Sequence, residues 1–298
     1  CDFEGHLIKC IKNIILLIGD GMGTSQISAA KYAKGTLEME RCPVAGLVTT
    51  HSLHNMVTDS AASGTALATG HKTGNGMIGQ TFDGDSLKSV LECAEEKGKA
   101  SGLVCTSAIT HATPASFSAH VPSRKMEAAI AEQIAAKEIE VLFGGGRGFF
   151  IPQSSEGSLR SDEKDLIAEL SKRTKVITTE EEFARLEAPE RVVGLFAQKA
   201  LPKFSEGRIA LPDLTAKAIE ILARNDSGFF LMVEGSQIDW GGHAMNAAYV
   251  LTETMDFDDA VGVALDFAER DGNTLVIVTA DHETGGYALL NGSVEDRT

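Results

Sequence analysis

Short, uninterrupted apolar runs recur along the chain. Residues 13–18 (NIILLI) end at Gly19-Asp20-Gly21, and 101–105 (SGLVC), 139–143 (IEVLF), 229–233 (FFLMV) and 274–279 (TLVIVT) share the same character. A continuous apolar run of this length, bounded by turn residues, predicts a strand buried on both faces in a parallel sheet. Between the runs the spacing changes to that of a helix. In DSLKSVLECAEEKG (85–98), Leu87, Val90, Leu91 and Ala94 fall on one face and a glycine closes the segment. LTAKAIEILARND (214–226) and ETMDFDDAVGVALDFAERDG (253–272) repeat that pattern. Alternating strands and helices predict an α/β fold, a three-layer sandwich with a mainly parallel central sheet and helices on both faces. Residues 152–190 are charged and carry few strand signals, which predicts a helical excursion over the surface of a single domain spanning 1–298. The acidic run Glu253, Asp256, Asp258 and Asp259 reads as a solvated helix face.

One helix is unlike the others. VTDSAASGTALATG (57–70) keeps nearly every side chain small, and small residues bury little apolar area. Two readings fit: a closely packed helix capped by Asp59 or Ser60, or a nucleophile, Ser60, that needs room around it.

Polar residues follow each apolar run. Asp20 follows 13–18, and THATP, with His111 and Thr113, lies beyond 101–105. Glu234, Asp239 and His243 follow 229–233, and Asp281-His282-Glu283 follows 274–279. In parallel sheets the ligand site lies beyond the carboxyl ends of the strands, so these residues are expected to share one crevice. Asp20, Glu234, Asp239 and Asp281 would then be neighbours. Two like charges about 4 Å apart repel by roughly 4 kcal/mol at an effective dielectric near 20, so four carboxylates call for cations or protons. His243 and His282 add the imidazole nitrogens that zinc favours. Asp239 and His243, four apart, share a helical face. The set reads as a two-metal site suited to in-line displacement at phosphorus. Ser60, at a helix N-terminus, feels the positive end of the dipole, and Arg124 offers a planar fork for two phosphate oxygens. His120 reads as structural, bonded to a backbone group, and Gly144-Gly145-Gly146 as a turn, because it lacks the Lys-Ser/Thr of a P-loop.

Composition narrows the class. The chain has 298 residues, 43% hydrophobic and 23% charged, as expected of a globular protein with a sizeable core. A net charge of -15 argues against nonspecific nucleic-acid binding and means that any anion site must be locally positive. Five cysteines, Cys1, Cys10, Cys42, Cys93 and Cys105, leave one or two disulfides open without fixing a pairing. No apolar run reaches the length of a membrane span. The chain starts at Cys1 and shows no signal-peptide pattern, so it reads as processed or trimmed, with a lipid on Cys1 an open option.

ILLIGDGMG, VTDSAASGTALATG, HATPASFSAHVPSRK, VEGSQIDWGGHAMN and TADHETGG, in that order, resemble the alkaline phosphatase family. FGGGRGFF and VVGLFA match as well, and the similarity runs from about residue 13 to 290. The resemblance implies hydrolysis of phosphate monoesters to inorganic phosphate through a phosphoserine on Ser60, with Arg124 holding the phosphate. It implies two zinc ions, one on Asp20, Asp281 and His282 beside Ser60, the other on Asp239 and His243. It implies magnesium on Asp20, Thr113 and Glu234. His111 and Trp240 occupy two positions beside the metals where family members differ, and their pairing is similar to that of cold-active marine enzymes. A homodimer and a periplasmic or secreted location also follow from the resemblance. One feature departs from it. The second zinc of the family takes a further histidine from a Gly-x-His-Thr motif, and no histidine follows His282 here. The chain therefore reads as C-terminally truncated or as incomplete at that metal, with His51, His54 or His71 as weak substitutes. A phosphodiesterase, sulfatase or phosphomutase on the same scaffold, or a phosphate-binding relic, are the alternatives.

Overall fold

The apolar runs become strands of one sheet. The computed structural model describes residues 11–291 together with the backbone of Asp2–Phe3 and His6–Leu7. Strands β1 (Asp2–Phe3) and β2 (His6–Leu7) form a small antiparallel ribbon. The main sheet contains β3 (Asn13–Gly19), β4 (Ala100–Ala108), β5 (Val141–Gly145), β6 (Lys175–Ile177), β7 (Val192–Leu195), β8 (Phe229–Gly235) and β9 (Thr274–Ala280). Its seven strands run in the order β6-β7-β5-β4-β8-β3-β9, and every pairing is parallel.

The helices are α1 (Thr24–Lys34), α2 (Ser60–Thr69), α3 (Val90–Glu95), α4 (Ala112–Ser118), α5 (Glu127–Ala136), α6 (Leu166–Leu170), α7 (Glu180–Ala184), α8 (Leu211–Leu222), α9 (Gln237–His243) and α10 (Ala247–Asp271). Alternate side chains of β3 enter two separate cores, as the strand period of two requires. Leu16 and Ile18 pack with Ala61, Leu91, Phe117 and Ile130 from α2 to α5. Ile15 and Leu17 pack with Leu214, Phe257 and Val261 from α8 and α10. The result is the three-layer sandwich that the alternation predicts.

The register brings the chemistry to one edge. Gly19 of β3 is level with Gly235 of β8 and Ala280 of β9, so Asp20, Ser236 and Asp281 leave the sheet at the same height. Gly21, at φ +69°, turns the chain back there, and a Cβ on it would lie 2.9 Å from the Asp239 Cα.

The small residues of α2 have a packing cause. A Cβ on Gly64 would come within 2.9 Å of the Ser116 hydroxyl of α4, so the two helices approach closer than larger residues allow. The capped-helix reading also holds: Asp59 accepts the Ala62 N–H at 3.0 Å.

Four expectations need correction. The helix expected over 85–98 covers only Val90–Glu95, because Ser89 and Glu92 form a capping box that starts it late. Segment 152–190 is mostly irregular; it holds the short helices α6 and α7 and supplies β6, the edge strand beside β7. The acidic run on α10 is not solvated. Glu253 and Asp256 are buried around Arg208, at 2.7 and 2.8 Å, and Asp258 is buried against Lys34 at 2.7 Å. Only Asp259 of the four is exposed. Strand β9, expected to be buried, pairs only with β3 among the described residues and leaves Leu275 and Ile277 partly exposed. Cys42, Cys93 and Cys105 are free thiols, whereas Cys1 and Cys10, and with them the disulfide and lipid options, lie outside the described residues.

Candidate active site

Ser60 is the first residue of α2, and Asp59 rather than Ser60 supplies the cap, which leaves the Ser60 hydroxyl uncommitted to the helix. Its Oγ lies 3.2 Å from His282 Nε2 and 3.5 Å from Asp20 Oδ1. His282 Nε2 is also 3.5 Å from Asp20 Oδ1 and 3.4 Å from Asp281 Oδ2. Asp281 and His282 follow β9 in irregular backbone, which lets adjacent side chains turn to one side. Asp281 is further fixed by the N–H groups of Gly21 and His282, at 3.1 and 2.9 Å.

Asp239 sits one turn before His243 on α9, with 3.3 Å between its Oδ1 and His243 Nε2. The Thr284 hydroxyl donates to the same Asp239 oxygen. Two compact groups of ligand-type atoms result: Asp20 with Asp239 and His282, and Asp20 with His111 and Glu234. Asp20 belongs to both. Asp239 joins Asp20 and His282 in the first group; Asp281 borders it, its Oδ1 taken by backbone N–H groups and its Oδ2 3.4 Å from His282 Nε2. His111 joins Glu234. His243, His51, His54 and His71 are in neither group; the last three are exposed, and His54 packs edge-on against Phe82.

These groups lack partners that proteins normally provide. Asp20 Oδ2, Glu234 Oε1, Thr113 Oγ1 and His111 Nδ1 are buried without a hydrogen-bond partner. Buried polar atoms are ordinarily satisfied, so the three oxygen orphans in one crevice, Asp20 Oδ2, Glu234 Oε1 and Thr113 Oγ1, fit cation ligands. The donor set suits the ions expected: carboxylate and hydroxyl oxygens for magnesium, imidazole nitrogen and carboxylates for zinc. Protonation states agree. Burial and then the charges of Asp281, Asp239 and Glu234 hold Asp20 well above the usual carboxylate range. Burial raises Asp281 too, against the His282 charge. Burial pushes the Glu234 carboxyl up to about 7.

Glu234 gives a stability test. An ordinary glutamate titrates near 4.5, so between that pH and about 7 the folded metal-free chain binds this proton more tightly than the unfolded chain. Its contribution to stability therefore falls as pH rises. Glu234→Gln cannot ionise and is expected to gain on the metal-free wild type across this window, by on the order of 3 kcal/mol once pH passes about 7. Urea melts in chelator at both ends of the window measure it; a pH-independent difference between the two proteins would contradict the assignment.

Arg124 completes the crevice. Its Nη1 is 3.2 Å from Asp59 Oδ2 and its Nη2 is 3.1 Å from His111 Nε2. Burial and the Arg124 charge depress His111 to about 3, so the ring is neutral and accepts from the guanidinium through Nε2. The edge of Trp240 meets His111 with ring centroids 5.8 Å apart. Asp59, read only as a cap, thus has a second role: it also accepts the Gly76 N–H, and Arg124 N donates to Gly76 O. The signal for this was weak, since nothing in the spacing of residues 59, 76 and 124 links them. Thr284 lay inside TADHETGG but drew no attention beside its ionisable neighbours. His120 is structural as expected, with Nδ1 2.7 Å from Gly79 O, and also meets Glu92 at 3.0 Å.

Comparison with known proteins agrees with this architecture. The family profile described as alkaline phosphatase matches residues 11–295. Alkaline phosphatase 3 of Bacillus subtilis is 44% identical over 299 residues, covering 94% of this chain and 62% of its own length. The chain thus spans less than two thirds of that relative. Alkaline phosphatase from the Antarctic bacterium TAB5 superposes with a TM-score of 0.87 at 45% identity, covering 93% of this chain and 81% of that one. A variant of the TAB5 enzyme with magnesium bound superposes equally well, at 0.87 and 45%, covering 93% and 80%.

Proposed function

This chain belongs to the alkaline phosphatase family, and from that premise we propose that it hydrolyses phosphate monoesters through a covalent phosphoserine on Ser60. The observation that carries the reading is the Ser60 hydroxyl, free of the helix cap and 3.2 and 3.5 Å from the His282 and Asp20 atoms of one candidate metal group. Asp20, Asp281 and His282 would hold one zinc beside Ser60, Asp239 and His243 the other, and Asp20, Thr113 and Glu234 a magnesium. Bound there, the ions would supply the positive charge that lowers the pKa of a hydroxyl or water and stabilises charge on the leaving oxygen.

The residues of the chain do the rest. Arg124, pinned by Asp59 and His111, presents its remaining N–H groups to two non-bridging phosphate oxygens. Ser60 Oγ, its proton lost to solvent at alkaline pH, attacks phosphorus in line. The Ser60 O–P bond forms as the ester O–P bond breaks, and the alkoxide leaves and takes a proton from water. Water then attacks the phosphoserine, releasing inorganic phosphate and restoring Ser60. His111, neutral and locked on Arg124, adds no positive charge at working pH. The same reading carries a homodimer and a periplasmic or secreted location. Among the described residues no helix is long and apolar enough to cross a membrane.

The test is hydrolysis of p-nitrophenyl phosphate against bis-p-nitrophenyl phosphate at alkaline pH with zinc and magnesium. Monoester preference with metal dependence supports the proposal. Diester preference would move the chain to the phosphodiesterase reading. Phosphate binding without turnover would favour a binding relic.

A further inference from the structure

The carboxyl ends of β4 and β8 are joined by a seam of buried hydroxyls that the reaction above does not use. Thr106, Ser107 and Ser236 are wholly buried, and Gln237 is 1% exposed. Ser107 N–H donates to Ser236 Oγ at 3.1 Å, Ser236 N–H donates to Thr106 Oγ1 at 3.0 Å, and the two serine hydroxyls are 3.0 Å apart. Gln237 anchors the seam. Its Nε2 donates to the carbonyls of Thr106 and Leu201, at 2.9 and 2.8 Å, and its Oε1 accepts the Tyr249 hydroxyl at 2.6 Å. The buried Ser107 N–H accounts for the Ser236 hydroxyl that accepts it, but no backbone donor calls for the Ser107 hydroxyl.

The seam has a direction. Ser236 Oγ accepts the Ser107 N–H, and a hydroxyl has only one proton to give, which goes to Ser107 Oγ. The Ser107 proton then has two acceptors in reach, Ala108 O at 3.2 Å and Glu234 Oε2 at 3.5 Å. An ionised carboxylate draws it, because charge-assisted hydrogen bonds are shorter and stronger. The β4–β5 register breaks between Val104 and Ala108, which frees Thr106 and Ser107 from that ladder. The oxygens of Glu234 are thereby divided: Oε2 faces Ser107, while Oε1 is one of the buried orphans beside Asp20 Oδ2 and Thr113 Oγ1.

We propose that Ser107 and Ser236 are positioning residues that hold Glu234 Oε2, so that Glu234 presents a single oxygen, Oε1, to magnesium. The inference rests on the magnesium reading of Asp20, Thr113 and Glu234. It makes physical sense for this ion, which demands near-ideal octahedral geometry and gains from ligands that are themselves hydrogen-bonded.

The experiment is calorimetric titration of the zinc-loaded protein with magnesium chloride, for wild type, Ser107→Ala, Ser236→Ala and the double variant, with thermal melts in the presence and absence of magnesium. Each single variant is expected to raise the magnesium Kd about 10-fold. The double variant is expected to match Ser107→Ala, because groups acting in series are not additive. Magnesium-free melting should barely change in Ser107→Ala, whereas Ser236→Ala also strands the buried Ser107 N–H and should melt lower. Unchanged magnesium affinity in both single variants overturns the inference, as does a loss of melting temperature in Ser107→Ala that is the same with and without magnesium. If Ser107→Ala does not fold, Ser236→Ala carries the same test, since it removes the donor that directs the Ser107 proton. A wild type that takes up no magnesium overturns the underlying reading, and the inference with it; a wild type that binds while the variants bind equally well overturns the inference alone.

Discussion

Ser60→Ala is expected to lower phosphomonoester turnover by roughly three orders of magnitude or more, with phosphate affinity and fold preserved. The geometry makes this a clean deletion. The cap of α2 is the Asp59 carboxylate, and the Ser60 hydroxyl contacts only Asp20 and His282. Removing it leaves the helix start, the Asp59–Arg124 pair and the phosphate-facing guanidinium in place. Residual turnover would come from direct attack by water on a phosphate still held by Arg124. The measurement pairs steady-state rates on p-nitrophenyl phosphate with acid-quench trapping of labelled phosphoprotein. Wild type should trap label and the variant none. Near-wild-type rates in Ser60→Ala would end the nucleophile assignment. Asp59→Ala is the informative contrast: it removes the cap, the anchor of Gly76 and the Arg124 partner together, so both stability and KM should worsen.

The sheet was legible because its signal is local. Runs such as NIILLI and FFLMV can be buried only between two layers, and the residue after each run marks the carboxyl edge. That placed Asp20, Glu234, Asp239, Asp281 and His282 together before any coordinates. Less local features escaped. The acidic residues of α10 looked solvated because their partners, Arg208 and Lys34, lie far away in sequence. The late start of α3 was readable in Ser89-x-x-Glu92 but lost to the apolar periodicity around it. Which carboxylates share a cation depends on where backbone N–H groups draw each oxygen. The Gly21 N–H holds one oxygen of Asp281 while the other faces His282, and α9 brings Asp239 close to Asp20 and His282; spacing does not encode that. The hydroxyl seam behind Glu234 was invisible for the same reason: serines carry no pattern until the strands that bear them are paired.

Asp20→Asn is expected to cost affinity for both zinc and magnesium, by at least about 100-fold each, and turnover with them. Asp20 alone belongs to both ligand groups, and its Oδ2 is a buried orphan while Oδ1 faces Ser60 and His282. Asparagine keeps the shape but removes the charge and replaces one oxygen with a donor that repels a cation. The metal-free variant should nevertheless be more stable than metal-free wild type at alkaline pH. It no longer ionises a fully buried group against Asp281, Asp239 and Glu234. Loss of metal together with gain of apo stability separates a ligand from a packing residue, since damage to packing lowers both. His243→Ala is the control. That side chain is 72% exposed and belongs to neither compact group, so its loss should touch one zinc only and leave magnesium uptake intact. Metal analysis after dialysis, with melts in chelator, reads both variants. If Asp20→Asn retains full zinc and magnesium, the crevice is not organised around Asp20. If His243→Ala loses magnesium as well, the two sites are coupled through α9 rather than through the shared carboxylate.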